Sequence, residues 1–157
     1  MDKLSKKVFS VIFILLAIYL YSYHIKEYRI DDIVKIDFNN ADKVEIQTKN
    51  ERILVKNKEK IEELNTFLKK YRFKKVFGKS YSESSREDFK EYGYYFIDIT
   101  KGTRLIHITI NMRTAIYVTV YDKQLDSFIY RISNGEMDYE FLRKYYETLR
   151  NSGGHKV

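Results

Sequence analysis

The chain has 157 residues, 44% of them hydrophobic and 32% charged, enough for one globular domain plus its ends. It carries a net charge of +7 and no cysteine, proline or tryptophan. Without cysteine there can be no disulfide, no thiolate metal site, no cysteine nucleophile and no lipid-attachment cysteine.

A basic start, MDKLSKK, precedes VFSVIFILLAIYLYSY, an uncharged run hydrophobic on every side. This pattern predicts a cytoplasmic segment over residues 1–7 and a transmembrane signal-anchor helix over 8–25, with Tyr19, Tyr21 and Tyr23 near one interface. A cleaved signal peptide would need small residues one and three positions before the cut, and AIYLYSYHIK places bulky side chains at nearly every such pair. A buried helix of a water-soluble fold is the third alternative. Lys3, Lys6 and Lys7 before the run against Lys26 and Arg29 after it favour an N-terminus inside, with the remaining chain outside the cell membrane.

Residues 26–32 read as a charged tether, and residues 33–150 as one extracytoplasmic α+β domain. IVKIDF and KVEIQT alternate apolar and polar residues, and RILV follows a KNE turn, so three short antiparallel strands are expected. In NKEKIEELNTFLKKYRF, Ile61, Leu64, Leu68 and Tyr71 recur at helical spacing behind Asn57 as N-cap. FKKVF predicts a further strand, and GKSYSESSREDFKEYG a long exposed loop. YYFIDIT, RLIHITI, AIYVTVY and SFIYRI, joined by short connections, predict a four-strand meander. Ile106, Ile108, Ile110, Ile116, Val118 and Val120 should form its aliphatic face. Asp138 then caps a C-terminal helix, YEFLRKYYETLR, before a flexible tail over 151–157.

The chemistry-bearing residues are sparse. His24, His107 and His155 are dispersed, which argues against a metal site, and no phosphate loop, dinucleotide fingerprint or nucleophile elbow occurs. The paired acids Glu62/Glu63 and Glu87/Asp88 read as a solvated helix face and a loop. YGYYFIDI approaches an RNA-binding signature at Gly93, Tyr94, Phe96 and Ile97 but departs from it at Tyr92, Tyr95 and Ile99, so no nucleic-acid partner is expected.

The densest charge is KKYRFKK. Lys69, Lys70, Arg72, Lys74 and Lys75 could contact anionic headgroups or wall polymer, or could simply complement a helix C-terminus and guard an edge strand. Residues 1–30 carry +3 and residues 31–157 carry +4, so without this cluster the outer domain is about neutral. Tyr92, Tyr94, Tyr117 and Tyr121 are the expected partner face.

An apolar anchor, then a strand pair, an I-x-x-L-x-x-x-L helix, a YY-x-I-x-I strand, LIHITI, IYVTVY, FIYRI and a final helix resembles an uncharacterised family of small membrane-anchored extracytoplasmic domains of Gram-positive bacteria, over residues 33–150. The resemblance brings no catalytic residues and implies a binding role. The expected function is therefore a single-pass, non-catalytic binding domain of the bacterial envelope, without cofactor, whose partner is a protein or cell-wall component. The alternatives are an immunity-type protein against a secreted toxin or bacteriocin, and a cell-envelope enzyme with an unrecognised site.

Overall fold

The computed structural model describes residues 3–21, 26–49, 51–76 and 93–152. In chain order these form α1 (Lys3–Leu20), α2 (Ile30–Val34), a 3-10 turn (Phe38–Asn40), β1 (Lys43–Gln47), β2 (Arg52–Leu54), α3 (Lys58–Lys69), β3 (Phe73–Val76), β4 (Tyr95–Lys101), β5 (Arg104–Ile110), β6 (Ala115–Tyr121), β7 (Leu125–Ile132) and α4 (Tyr139–Asn151). The α+β class and the antiparallel sheet expected from the sequence are present, with a different count of strands and helices.

All seven strands pair antiparallel in the order β2-β1-β4-β5-β6-β7-β3. The meander β4–β7 forms the centre. β1 docks on β4 and brings β2 with it, while β3 joins the opposite edge beside β7. The tight turn between β4 and β5 is met by Gly102 at φ +58°, a left-handed conformation that glycine adopts without Cβ strain.

One face of the sheet is apolar: Ile46, Ile97, Ile108 and Val118 form one cross-strand rank, and Val44, Ile99, Ile106 and Val120 the next. Helices α3 and α4 cover this face. Phe67 of α3 stacks on Phe141 of α4 at 4.0 Å, Tyr145 Oη donates to the Lys60 carbonyl at 2.7 Å, and Tyr95 meets Tyr139 and Tyr146 from below. The expected caps are in place, with Asn57 accepting from the Glu59 N–H at 2.8 Å and Asp138 from the Phe141 N–H at 2.9 Å.

Two expectations need correction. IVKIDF is not a strand. Ile30, Ile33 and Val34 instead form the buried side of the short helix α2, because their i, i+3, i+4 spacing suits a helix and Asp31 and Asp32 favour its first turn. Val34, Ile36 and Phe38 do turn inward, as the alternation implied, but around a 3-10 turn. The segment 26–32 is also no loose tether: Tyr28 exchanges backbone hydrogen bonds of 2.8 and 2.9 Å with Phe73, and Ile30 is fully buried.

Helix α1 stands apart from the core. Every large apolar side chain from Val8 to Leu20 is 44–72% exposed, whereas the aliphatic residues of the sheet centre are close to fully buried. Among the described residues no helix is long and apolar enough to cross a membrane. Helix α1 has 18 residues, and Lys3, Lys6 and Lys7 occupy its start, so its uncharged part is Val8–Leu20. All of the expected loop over 78–93 except Gly93, and most of the tail over 151–157, lie outside the described residues.

Candidate functional site

The run KKYRFKK does not form one patch. It spans the end of α3 and the first three residues of β3, where alternate residues point to opposite faces. Phe73 is buried on the core side and Lys75 follows it there, its ammonium 3.3 Å from the centroid of the Phe128 ring. Burial lowers the Lys75 pKa, and the Asp126 carboxylate opposes that shift. Lys74 points to the other face and lies 3.8 Å from Glu27, while Lys69 lies 3.3 Å from Asp31. Lys70 sits over the rings of Phe67 and Phe141. The backbone of the run is held too: Asn134 donates from Nδ2 to the Lys70 carbonyl at 2.8 Å and accepts the Arg72 N–H at 2.7 Å. Most of this charge therefore serves packing and local pairing.

The second face of the sheet carries a mixed surface. Register brings Glu45, Asp98, His107, Thr119 and Ser127 into one rank across five neighbouring strands. Asp98 Oδ1 is 2.5 Å from His107 Nδ1, and its other oxygen is 3.8 Å from Arg52. Beyond them Thr119 and Ser127 share a hydroxyl hydrogen bond of 3.2 Å. Lys43 pairs with Glu45 at 2.9 Å. Asp98 and Glu45 are only 8% and 5% exposed, so charge this deep in a sheet face persists because cations meet it.

Aromatic rings flank the polar rank. Phe96 stacks on His107 at 5.0 Å and contacts Tyr94 at 4.6 Å, and Tyr117 lies in the rank with Phe96, Thr109 and Ile129. Tyr94, Tyr117 and Tyr121 thus share this face, with Tyr121 the most exposed of the three. Tyr92 lies outside the described residues. None of the apolar side chains on this side, such as Leu54, Phe96, Leu105 and Ile129, belongs to the core cluster beneath α3 and α4.

Asp98 and Arg52 are the functional candidates that reading the sequence missed, and His107 is one that it set aside. The signal was available. A hairpin closing at Gly102–Thr103 pairs residues whose numbers sum to 205, which places Asp98 opposite His107.

An aspartate–histidine pair with an adjacent arginine can bind an anionic or hydrogen-bonding group, or relay a proton. Among the described residues no three His, Asp or Glu side chains gather to hold a metal ion. No protein-family model matches this sequence, and no curated protein and no solved structure is significantly similar to it.

Proposed function

We propose that the protein is a membrane-anchored binding module of the bacterial envelope, with α1 seated in lipid and the α+β domain outside. One observation carries this reading. Beyond residue 21 only Tyr121 and Leu125 among the described large hydrophobic side chains are exposed, yet every large apolar side chain of α1 from Val8 to Leu20 is uncovered, directly behind three lysines. In water such a helix is costly, at about 25 cal/mol per Å² of apolar surface, and lipid removes that cost. The uncharged part of α1 is roughly 20 Å long, short of a hydrocarbon core of about 30 Å. A full crossing therefore draws on the uncharged sequence through Ile25 and on the reach of the lysine stems.

The partner face is the second side of the sheet, where Tyr94, Tyr117, Tyr121, Phe96 and Arg52 combine aromatic and ionic contacts of the kind enriched in protein interfaces. The role is non-catalytic. A bound protein, among them a secreted toxin held at the surface, suits this face better than a cofactor. A second reading, an envelope enzyme, is favoured by the alignment of Asp98, His107, Thr119 and Ser127 in one rank.

The experiment is fractionation of cells expressing the full chain or a chain lacking residues 1–21. The full chain should sediment with membranes through a carbonate wash, and the truncated chain should leave them. A full chain found in the supernatant would overturn the proposal.

A further inference from the structure

Neither α3 nor α4 lines the core face of the sheet over part of β5, β6, β7 and β3. There α2 and the Tyr28 segment bridge the gap and leave a cleft of about 250 Å³. Its exposed surface is more polar than apolar, with apolar side chains contributed by Val118, Val120, Phe128 and Tyr130 from the sheet and by Tyr28 and Ile33. Three cations reach it from separate elements: Lys35 at the end of α2, Lys75 of β3 and Arg104 at the start of β5. Two carboxylates also line it, Asp32 and Asp126. Asp32 is partly committed, since its Oδ2 accepts the Arg29 N–H at 2.8 Å.

We infer that this cleft binds a small ligand composed of one anionic group, phosphate or carboxylate, on a flat apolar body. Three observations support it. The Nε–H of Arg104 is buried without a hydrogen-bond partner among the described residues, a donor left unsatisfied until an acceptor enters. The Lys75 ammonium lies 3.3 Å from the centroid of the Phe128 ring and is partly withdrawn from water, where an incoming anion would gain more than it could in bulk solvent. Lys35 closes α2 in a left-handed conformation at φ +52°, its N–H donating to the Asp31 carbonyl, and this cap places a third cation at the rim of the cleft. Rings on both walls suit an aromatic or alkyl body between them. The inference is independent of whether α1 lies in lipid.

The test uses the full chain in uncharged maltoside micelles, titrated with phenyl phosphate and followed by amide and methyl resonances. Saturable shifts are expected at Val118, Val120, Lys35 and Arg104. Inorganic phosphate, which lacks the ring, and phenol, which lacks the charge, should each bind about tenfold more weakly or worse. Arg104→Gln and Lys75→Gln should each weaken phenyl phosphate by about tenfold or more, with resonances outside the cleft unchanged. Two sources of the ligand separate in one further arm. If the natural group is a lipid headgroup, phosphatidylglycerol added to the micelles reproduces the shifts and displaces phenyl phosphate, whereas for a free metabolite it leaves that titration unaltered. The inference is overturned if no cleft resonance saturates with either probe, if phenol binds as well as phenyl phosphate, or if a folded Arg104→Gln chain binds like the wild type.

Discussion

Asn65 offers a sharp test of the packing described for α3. It is 1% exposed, and its Oδ1 is buried without a hydrogen-bond partner among the described residues. Leaving such an oxygen unpaired costs about 1–3 kcal/mol, whereas an apolar group of similar shape incurs no such penalty. Leucine has the same branched arrangement of four side-chain heavy atoms as asparagine, though its methyl groups are bulkier, and it is a better helix former by a few tenths of a kcal/mol. Asn65→Leu should therefore stabilise the domain by up to about 1–3 kcal/mol, raising its melting temperature by about 2–12 °C. Asn65→Ala should gain less, because it leaves a small void beside Leu64 and Leu68. Thermal unfolding of the full chain in neutral micelles, followed by near-ultraviolet circular dichroism of its tyrosines, reads both. A loss of more than about 1 kcal/mol in both Asn65→Leu and Asn65→Ala would refute the reasoning, since overpacking can explain the first but not the second, and the pair would mean that the amide is satisfied.

Other outcomes follow from the hydrogen bonds and buried hydroxyls. Asn134→Ala removes both bonds to the backbone around Arg72 and should cost about 1–2 kcal/mol in denaturant unfolding, with faster hydrogen exchange at Phe73 and its neighbours. Burial pushes the Tyr130 hydroxyl up to about 12 and raises those of Tyr71, Tyr95 and Tyr145 as well. A phenol whose folded pKa lies above its unfolded value contributes stability that is complete below about pH 10 and lost as pH rises through the folded value. Stability should thus fall between about pH 10 and 12, and absorbance at 295 nm should show these tyrosines ionising only with unfolding. The Asp42 carboxyl is held below its usual range by the Gly102 N–H and by Lys101. Its contribution is present above the ordinary carboxylate pKa and disappears as pH falls through the lowered one, so Asp42→Asn should flatten the acid limb of the stability profile.

How much of this was legible in the sequence depended on the range of the interaction. Asn57 and Asp138 announced their helices because a cap acts over two or three residues, and the isoleucines of β4 and β5 announced their faces through a period of two. Val34, Ile36 and Phe38 misled because their alternation also fits a short helix leading into a 3-10 turn. Ile30, at helical distance from Ile33 and Val34, was the clue. The docking of β1 on β4 and of β3 on β7 joins segments about fifty residues apart, which no local pattern encodes. For the same reason the basic run looked like a single patch: Asp31 and Glu27, which meet Lys69 and Lys74, come from before the first strand. Arg104 and Lys35 gave no sign of sharing a cleft, since only the folded sheet brings β5 and α2 together.

The absence of cysteine from the chain allows its orientation to be measured without background. Single substitutions Lys3→Cys, at the start of α1, and Asp122→Cys, in the exposed turn between β6 and β7, would be challenged in intact bacterial cells with a membrane-impermeant maleimide. An anchored domain facing outward predicts that Asp122→Cys is labelled at once and Lys3→Cys only after permeabilisation, with both chains in the carbonate-washed pellet. Labelling of Lys3→Cys but not Asp122→Cys in intact cells, or release of both chains to the supernatant, would contradict it.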